Sequence, residues 1–158
     1  MRTPPGLAVN PMDETWMRHA LDLAERARAA GDVPVGALIV RGDEVIGEGW
    51  NVREAAADPT GHAELVAIRA AAATLGGRRL DGCTLIVTLE PCPMCAGAAV
   101  LAHLSRIVLG AWDPKAGACG SVWDVVRDRR VTHRVEVVGG VRERECGQVL
   151  RDFFDVRR

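Results

Sequence analysis

The 158-residue sequence has no apolar run near the roughly 18 residues that a membrane span needs. Its opening stretch, MRTPPGLAVNP, carries no apolar h-region. No signal peptide is therefore expected, and the cytoplasm is the expected compartment. Thiols stay reduced there, and five cysteines, an odd number, do not form a disulfide framework. Charge of one sign is also scarce. A formal net charge of -1 gives no chain-wide attraction for a polyanion. Lysine is almost missing, since Lys115 is the only one among 20 basic residues. There is no internal repeat, no low-complexity tract and no composition shift that marks a second domain.

What is present suits a single globular domain. The chain is 48% hydrophobic and 26% charged, ordinary for a folded protein long enough to bury a core. Residues 1–10 read as a flexible tail and residues 11–158 as one domain. From Arg127 onward nine arginines face six acidic residues, a modest basic end. Such a surplus fits a solvated face, and it also suits an RNA ligand.

Periodicity then orders the domain. Asp13 to Ala30 repeats apolar residues at helical spacing and stops at Gly31. VGALIV and EVIGEGW, joined by a tight turn, read as a β-hairpin. His62 to Leu75 is a helix, CTLIVTL a buried strand, and Cys92 to His103 a second Ala-rich helix. RIVLGA and Val135 to Val138 are further strands, and Glu143 to Val156 is a closing amphipathic helix. This order predicts a layered α/β domain, with one mixed sheet between helices on both faces.

Two short stretches concentrate metal-binding side chains. TGHAEL holds His62 and Glu64, and PCPMC holds Cys92 and Cys95. Each sits where loop or strand passes into a helix. The N-terminal helix field favours thiolate, the metal-binding form of cysteine. Pro93 fits the first turn, where its missing N–H costs nothing. Cys92 and Cys95, at i and i+3, then share one face. Three ligands, His62, Cys92 and Cys95, leave a fourth position for water, the pattern of a catalytic rather than a structural zinc site. Glu64 beside that position is a candidate general acid and base. Alone, the Cys-x-x-Cys pair also fits a structural zinc half-site or a redox dithiol, and His-x-Glu alone is close to noise. Cys83 is the rival fourth ligand, but it sits at the far end of the strand that leads to Cys92. Cys119 and Cys146 read as core or loop thiols, and His19, His103 and His133 as structural residues.

His-x-Glu followed by Pro-Cys-x-x-Cys is the signature of zinc nucleoside and nucleobase deaminases. Together with DVPVGALIV, VIGEGWN, DPTGHAE, RLDGCTLIVTLEPCPMCAGA, RIVLGAWDPKAGACGS and DFF, it makes the chain resemble the bacterial tRNA-specific adenosine deaminases within that superfamily. The resemblance runs from about Asp13 to Arg158. It implies a three-layer α/β/α cytidine-deaminase-like fold with a mixed five-stranded sheet. It also implies a homodimer, one Zn²⁺ per chain, no organic cofactor and no membrane partner. The implied reaction converts the wobble adenosine in the anticodon loop of an arginine tRNA to inosine. By the same resemblance His62, Cys92 and Cys95 hold the metal, and Glu64 shuttles the proton. Asn51 would bond the flipped base, unless it merely caps its loop. Pro34 and Val35 would wall the pocket, unless they only pack the strand start. Asp113 would meet a flanking ribose 2′-OH, an RNA-specific group, unless it is a turn residue before Pro114. Lys115 and the arginines of the last helix, Arg151, Arg157 and Arg158, would contact phosphates. The sequence departs from the expected pattern at Gly61, at the WDPKAG loop and at Thr132, none of them a metal ligand.

Two other functions share these features. A deaminase of a free base, such as guanine or cytosine, would use the same zinc and Glu64 but would need a lid over its ligand. A zinc-stabilised RNA-binding module would have no use for Glu64.

Overall fold

A computed structural model describes residues 10–157. The expected tail, residues 1–10, lies outside them except for Asn10, and so does Arg158 of the expected phosphate contacts. Asn10 instead begins the first helix, α1 (Pro11–Ala29). Its side chain accepts from the Met12 N–H at 2.9 Å, while the Asp13 carboxylate accepts from the Asn10 N–H at 2.8 Å. This reciprocal capping, with Pro11 in the first turn, starts the helix two residues before the apolar periodicity does. Asp13 also takes both terminal nitrogens of Arg106, at 2.6 and 2.8 Å, so the cap is tied to the sheet.

The hairpin forms from β1 (Gly36–Arg41) and β2 (Glu44–Trp50). It is followed by α2 (Ala63–Leu75), β3 (Thr84–Leu89), α3 (Pro93–Leu101), β4 (Arg106–Ala111), β5 (Glu136–Val138) and α4 (Glu143–Val156). The five strands make one sheet in the order β2-β1-β3-β4-β5. β1 is antiparallel to both β2 and β3, whereas β3, β4 and β5 run parallel. The sheet is therefore mixed, as expected.

Alternate strand residues divide the core in two. Ala37, Ile39, Leu85, Val87, Ile107 and Leu109 pack with Ala63, Ala67 and Ala71 of α2 and Ala96 and Ala99 of α3. Leu38, Val40, Ile86 and Val108 pack with Met17, Ala20 and Leu23 of α1 and Cys146 of α4. Helices cover both faces, which makes the three layers.

The α2 helix lies unusually close to the sheet because β2 carries glycine at alternate positions. A Cβ at Gly49 would stand 2.4 Å from the Ala63 carbonyl oxygen, and one at Gly47 2.5 Å from that of Ala67. No side chain fits there. The first turn of α2 is thus pressed onto the strand end, with His62 and Glu64 at its head.

Candidate active site

His62 and Cys92 occupy equivalent places: each is the residue that caps a helix, in extended backbone, and neither spends its side chain on the cap. The imidazole and the thiol are therefore free to point away from their helices. Cys95 follows in the first turn of α3 and is fully buried. The three side chains converge, with one ligand atom from each lying within 4.8 Å of the others. Nδ1 of His62 is 3.6 Å from Sγ of Cys92 and 3.4 Å from Sγ of Cys95.

These spacings can be checked against a metal. Tetrahedral zinc with bonds of about 2.3 Å to sulfur and about 2.1 Å to nitrogen puts those atoms roughly 3.6 Å apart. The donors are a borderline imidazole and two soft thiolates, a set that zinc prefers. The residues fit the ion. Among the described residues no other His, Cys, Asp or Glu joins the cluster. Cys83 is buried at the opposite end of β3, 3.6 Å from the Asp81 carbonyl oxygen. Cys119 and Cys146 are buried thiols, each pushed up to about 12 by burial. His103 and His133 stack on each other with ring centroids 4.6 Å apart, and His19 meets Glu48 at 2.8 Å; none of the three lines the cavity.

Glu64 stands in the first turn of α2 and is only 4% exposed. Burial raises its carboxyl above the usual range. Without metal, the Cys95 thiol donates to Cys92 and brings the latter down to about 4. The same hydrogen bond, with burial, holds the Cys95 proton on. His62 is raised by its hydrogen bond with Cys92.

These groups open onto a cavity of about 160 Å³. Val33 and Val35 give it an apolar side, and Asn51, Arg53, Asp113 and Ala116 also line it. Pro34 is buried in the same turn but does not line the cavity. Asn51 is buried, and its Oδ1 accepts from the Arg53 N–H at 3.1 Å. Asp113 behaves similarly, for its Oδ1 accepts from Lys115 and Ala116 N–H groups at 3.0 and 3.3 Å. Both residues therefore line the cavity while capping their own loops. Lys115 does not line the cavity. It borders a neighbouring groove of about 710 Å³, together with Trp112, Leu150, Arg151, Phe154 and Arg157. Cavity and groove share the lining residues Val33, Leu89 and Asp113, so they adjoin.

One organising residue is invisible to motif reading. Glu90, which lies between β3 and Cys92, is 2% exposed and has no cationic partner among the described residues. Its carboxylate accepts from the N–H groups of Asp113, Cys119 and Ser121, at 2.9, 3.0 and 3.1 Å, and from the Ser121 hydroxyl. The loop after β4 is wrapped around this one side chain. Gly117 is required there, because a Cβ would come 2.2 Å from Glu90 Oε1. An acidic residue at a strand end, followed later by a Gly-rich loop with spare N–H groups, is the only sequence signal.

Similarity to known proteins agrees with this geometry. Residues 10–111 match the cytidine and deoxycytidylate deaminase zinc-binding region. The chain is 46% identical over 142 residues to the tRNA-specific adenosine deaminase of Bacillus subtilis, spanning 90% of this chain and 88% of that protein. It is 48% identical over 147 residues to the Haemophilus influenzae enzyme of the same name, spanning 92% and 85%. A solved tRNA:A34 deaminase, studied for A-to-I editing at the wobble position of transfer RNA, superposes with a TM-score of 0.83. It is 39% identical and covers 86% of this chain and 99% of its own. With the ligand spacing, the fold and these relatives in agreement, the chain belongs to the zinc-binding cytidine and deoxycytidylate deaminase family.

Proposed function

We propose that the protein hydrolyses the wobble adenosine of a tRNA anticodon loop to inosine, and that an arginine tRNA is the substrate. The observation that carries the RNA reading is the junction of cavity and groove. A free-base enzyme needs a closed lid, whereas this cavity adjoins a larger groove lined by Trp112, Phe154, Lys115, Arg151 and Arg157. Aromatic faces and cations side by side suit a single strand, with bases stacked and phosphates neutralised. A hairpin loop also lowers the cost of turning a base outward, since its bases are already partly unstacked.

In this reading His62, Cys92 and Cys95 hold one zinc. When bound, the zinc supplies a Lewis acid that ionises water near neutral pH. Val35, with Pro34 behind it, shapes the wall against the base. Asn51 has its carbonyl oxygen engaged by the loop, so its amide N–H groups are the ones left for a ring nitrogen. Glu64 takes a proton from the attacking water and delivers it to N1 as oxygen bonds to C6. It then assists proton transfer to the exocyclic amine, the C6–N bond breaks and ammonia leaves. Its place in the first turn of α2, buried at the head of the cavity beside His62, suits a carboxyl that takes and returns one proton. Asp113 faces the ribose of a flanking nucleotide, and Lys115 a phosphate.

The same reading makes the protein a cytoplasmic homodimer. No described helix is long and apolar enough to cross a membrane, and all five cysteines are free thiols. On α3, Met94 and Leu101 are exposed, Leu101 at 76%, on the helix that carries Cys95. Light scattering on purified protein should give twice the chain mass. The activity test is a synthetic arginine anticodon stem-loop, with inosine read by sequencing. Inosine at the wobble position supports the reading. Ready deamination of free guanine, cytosine or adenosine with the stem-loop untouched refutes it.

A further inference from the structure

We infer that Arg53 is a substrate-binding residue, which clamps the phosphate of the nucleotide whose base enters the cavity. The inference rests on the RNA reading above. Glu64, Glu90 and Asp113 are acidic residues of the cavity lining, and Arg53 is the only arginine or lysine among the described residues that line it. A nucleotide cannot bring its base there without bringing a phosphate to the mouth. Beside an acidic lining, that anion is favoured by a cation close by. The cations of the groove serve the other flank, because Lys115, Arg151 and Arg157 line the groove and Arg53 does not.

Arg53 is also built for the role. Its side chain is exposed, and its guanidinium has no ion-pair partner among the described residues. Its backbone, by contrast, is held from both sides. The Arg53 N–H donates to Asn51 Oδ1, and its carbonyl accepts from the Asp58 N–H at 3.0 Å. Asp32, 1% exposed, grips the next two residues, accepting from the N–H groups of Glu54 and Ala55 at 2.8 and 3.1 Å. The Val52 N–H donates to the Gly61 carbonyl at 2.8 Å, which joins the loop to the turn before His62. An unpaired guanidinium on a pinned loop is preorganised, and its planar fork matches phosphate oxygens. The Asn51 side chain thus serves the base and the phosphate together, by bonding the N–H that fixes Arg53.

Salt dependence distinguishes a phosphate contact from a structural role. Stem-loop affinity is measured against salt concentration in a Glu64→Ala background, where turnover does not interfere. Arg53→Ala is expected to weaken binding about tenfold and to reduce the slope of log Kd against log salt by about 0.7, the loss of one single-strand phosphate contact. Arg53→Lys should restore the slope but only part of the affinity. Arg78→Ala, on an exposed turn beyond the far end of α2, should change neither. A second measurement uses the Glu64→Ala protein with Arg53 intact and a stem-loop carrying one neutral methylphosphonate linkage, on either side of the target adenosine. One of the two linkages should weaken binding as much as Arg53→Ala does, and the two changes together should cost no more than one. An unchanged slope, or additive losses at both linkages, overturns the assignment. Turnover of the unmodified stem-loop by the wild-type protein tests the underlying RNA reading separately.

Discussion

Nδ1 of His62 lies 3.4 Å from Sγ of Cys95, although 33 residues separate them in the chain. That approach is the product of two helix starts, one pressed onto β2 through Gly49 and the other launched from β3 through Pro91. It makes the metal site a property of the assembled sheet rather than of either motif alone.

Each ligand is therefore expected to be indispensable and Cys83 dispensable. His62→Ala, Cys92→Ser and Cys95→Ser should each lower zinc from one per chain to near zero. Because metal binding stabilises only the folded chain, they should also lower the thermal midpoint. Cys83→Ser should keep full zinc. Elemental analysis with thermal melts checks this, and zinc loss in Cys83→Ser would make the site a closed four-ligand one.

Glu64→Gln should keep both fold and zinc while lowering kcat by about 10²–10⁴, the range of a lost general acid–base. The site holds no fourth protein ligand among the described residues, so the carboxylate has no structural duty toward the metal. Unfolding of Glu64→Gln, or unaltered kcat, would remove Glu64 from the reaction.

Glu90→Ala strips the acceptor from three backbone N–H groups and one hydroxyl at once. A buried donor left unsatisfied costs about 1–3 kcal/mol, so a loss of at least about 3 kcal/mol is expected in urea denaturation. Gly117→Ala should act in the same direction, since its Cβ would collide with that carboxylate. Neither change touches a ligand, so the folded fraction should retain zinc.

Zinc retention should fall as pH falls. Binding requires Cys95 as thiolate and His62 as neutral imidazole, yet in the metal-free site both are held toward their protonated forms. Zinc uptake therefore expels protons, and affinity rises about tenfold per pH unit for each proton released. Competition with a chromophoric chelator between pH 5.5 and pH 8 measures the slope (bounds chosen around roughly neutral pH, where histidine titrates). A flat profile would contradict the proton count.

Much of this was legible in the sequence because it depends on local chemistry. The apolar periods of Trp16 to Ala27 and Leu65 to Ala72 gave helices, and the β-branched runs gave strands. His62 and Cys92 lie at helix starts because loop or strand meets an Ala-rich helix at each motif. The parts that escaped are those in which distant segments meet. Asp32 and Glu90 look like ordinary acidic residues until the loops they hold, 22 and 31 residues further on, fold over them. Arg53 looks like one exposed arginine among many until the cavity forms around it. The start of α1 escaped for a different reason, since Asn10 and Asp13 make a cap that apolar spacing does not register.

The most direct test of the central claim is zinc stoichiometry against turnover in untagged protein on the anticodon stem-loop. One zinc per chain is predicted, with deamination lost in step with the metal on chelation and regained on adding zinc back. Full turnover from metal-free protein would contradict the account.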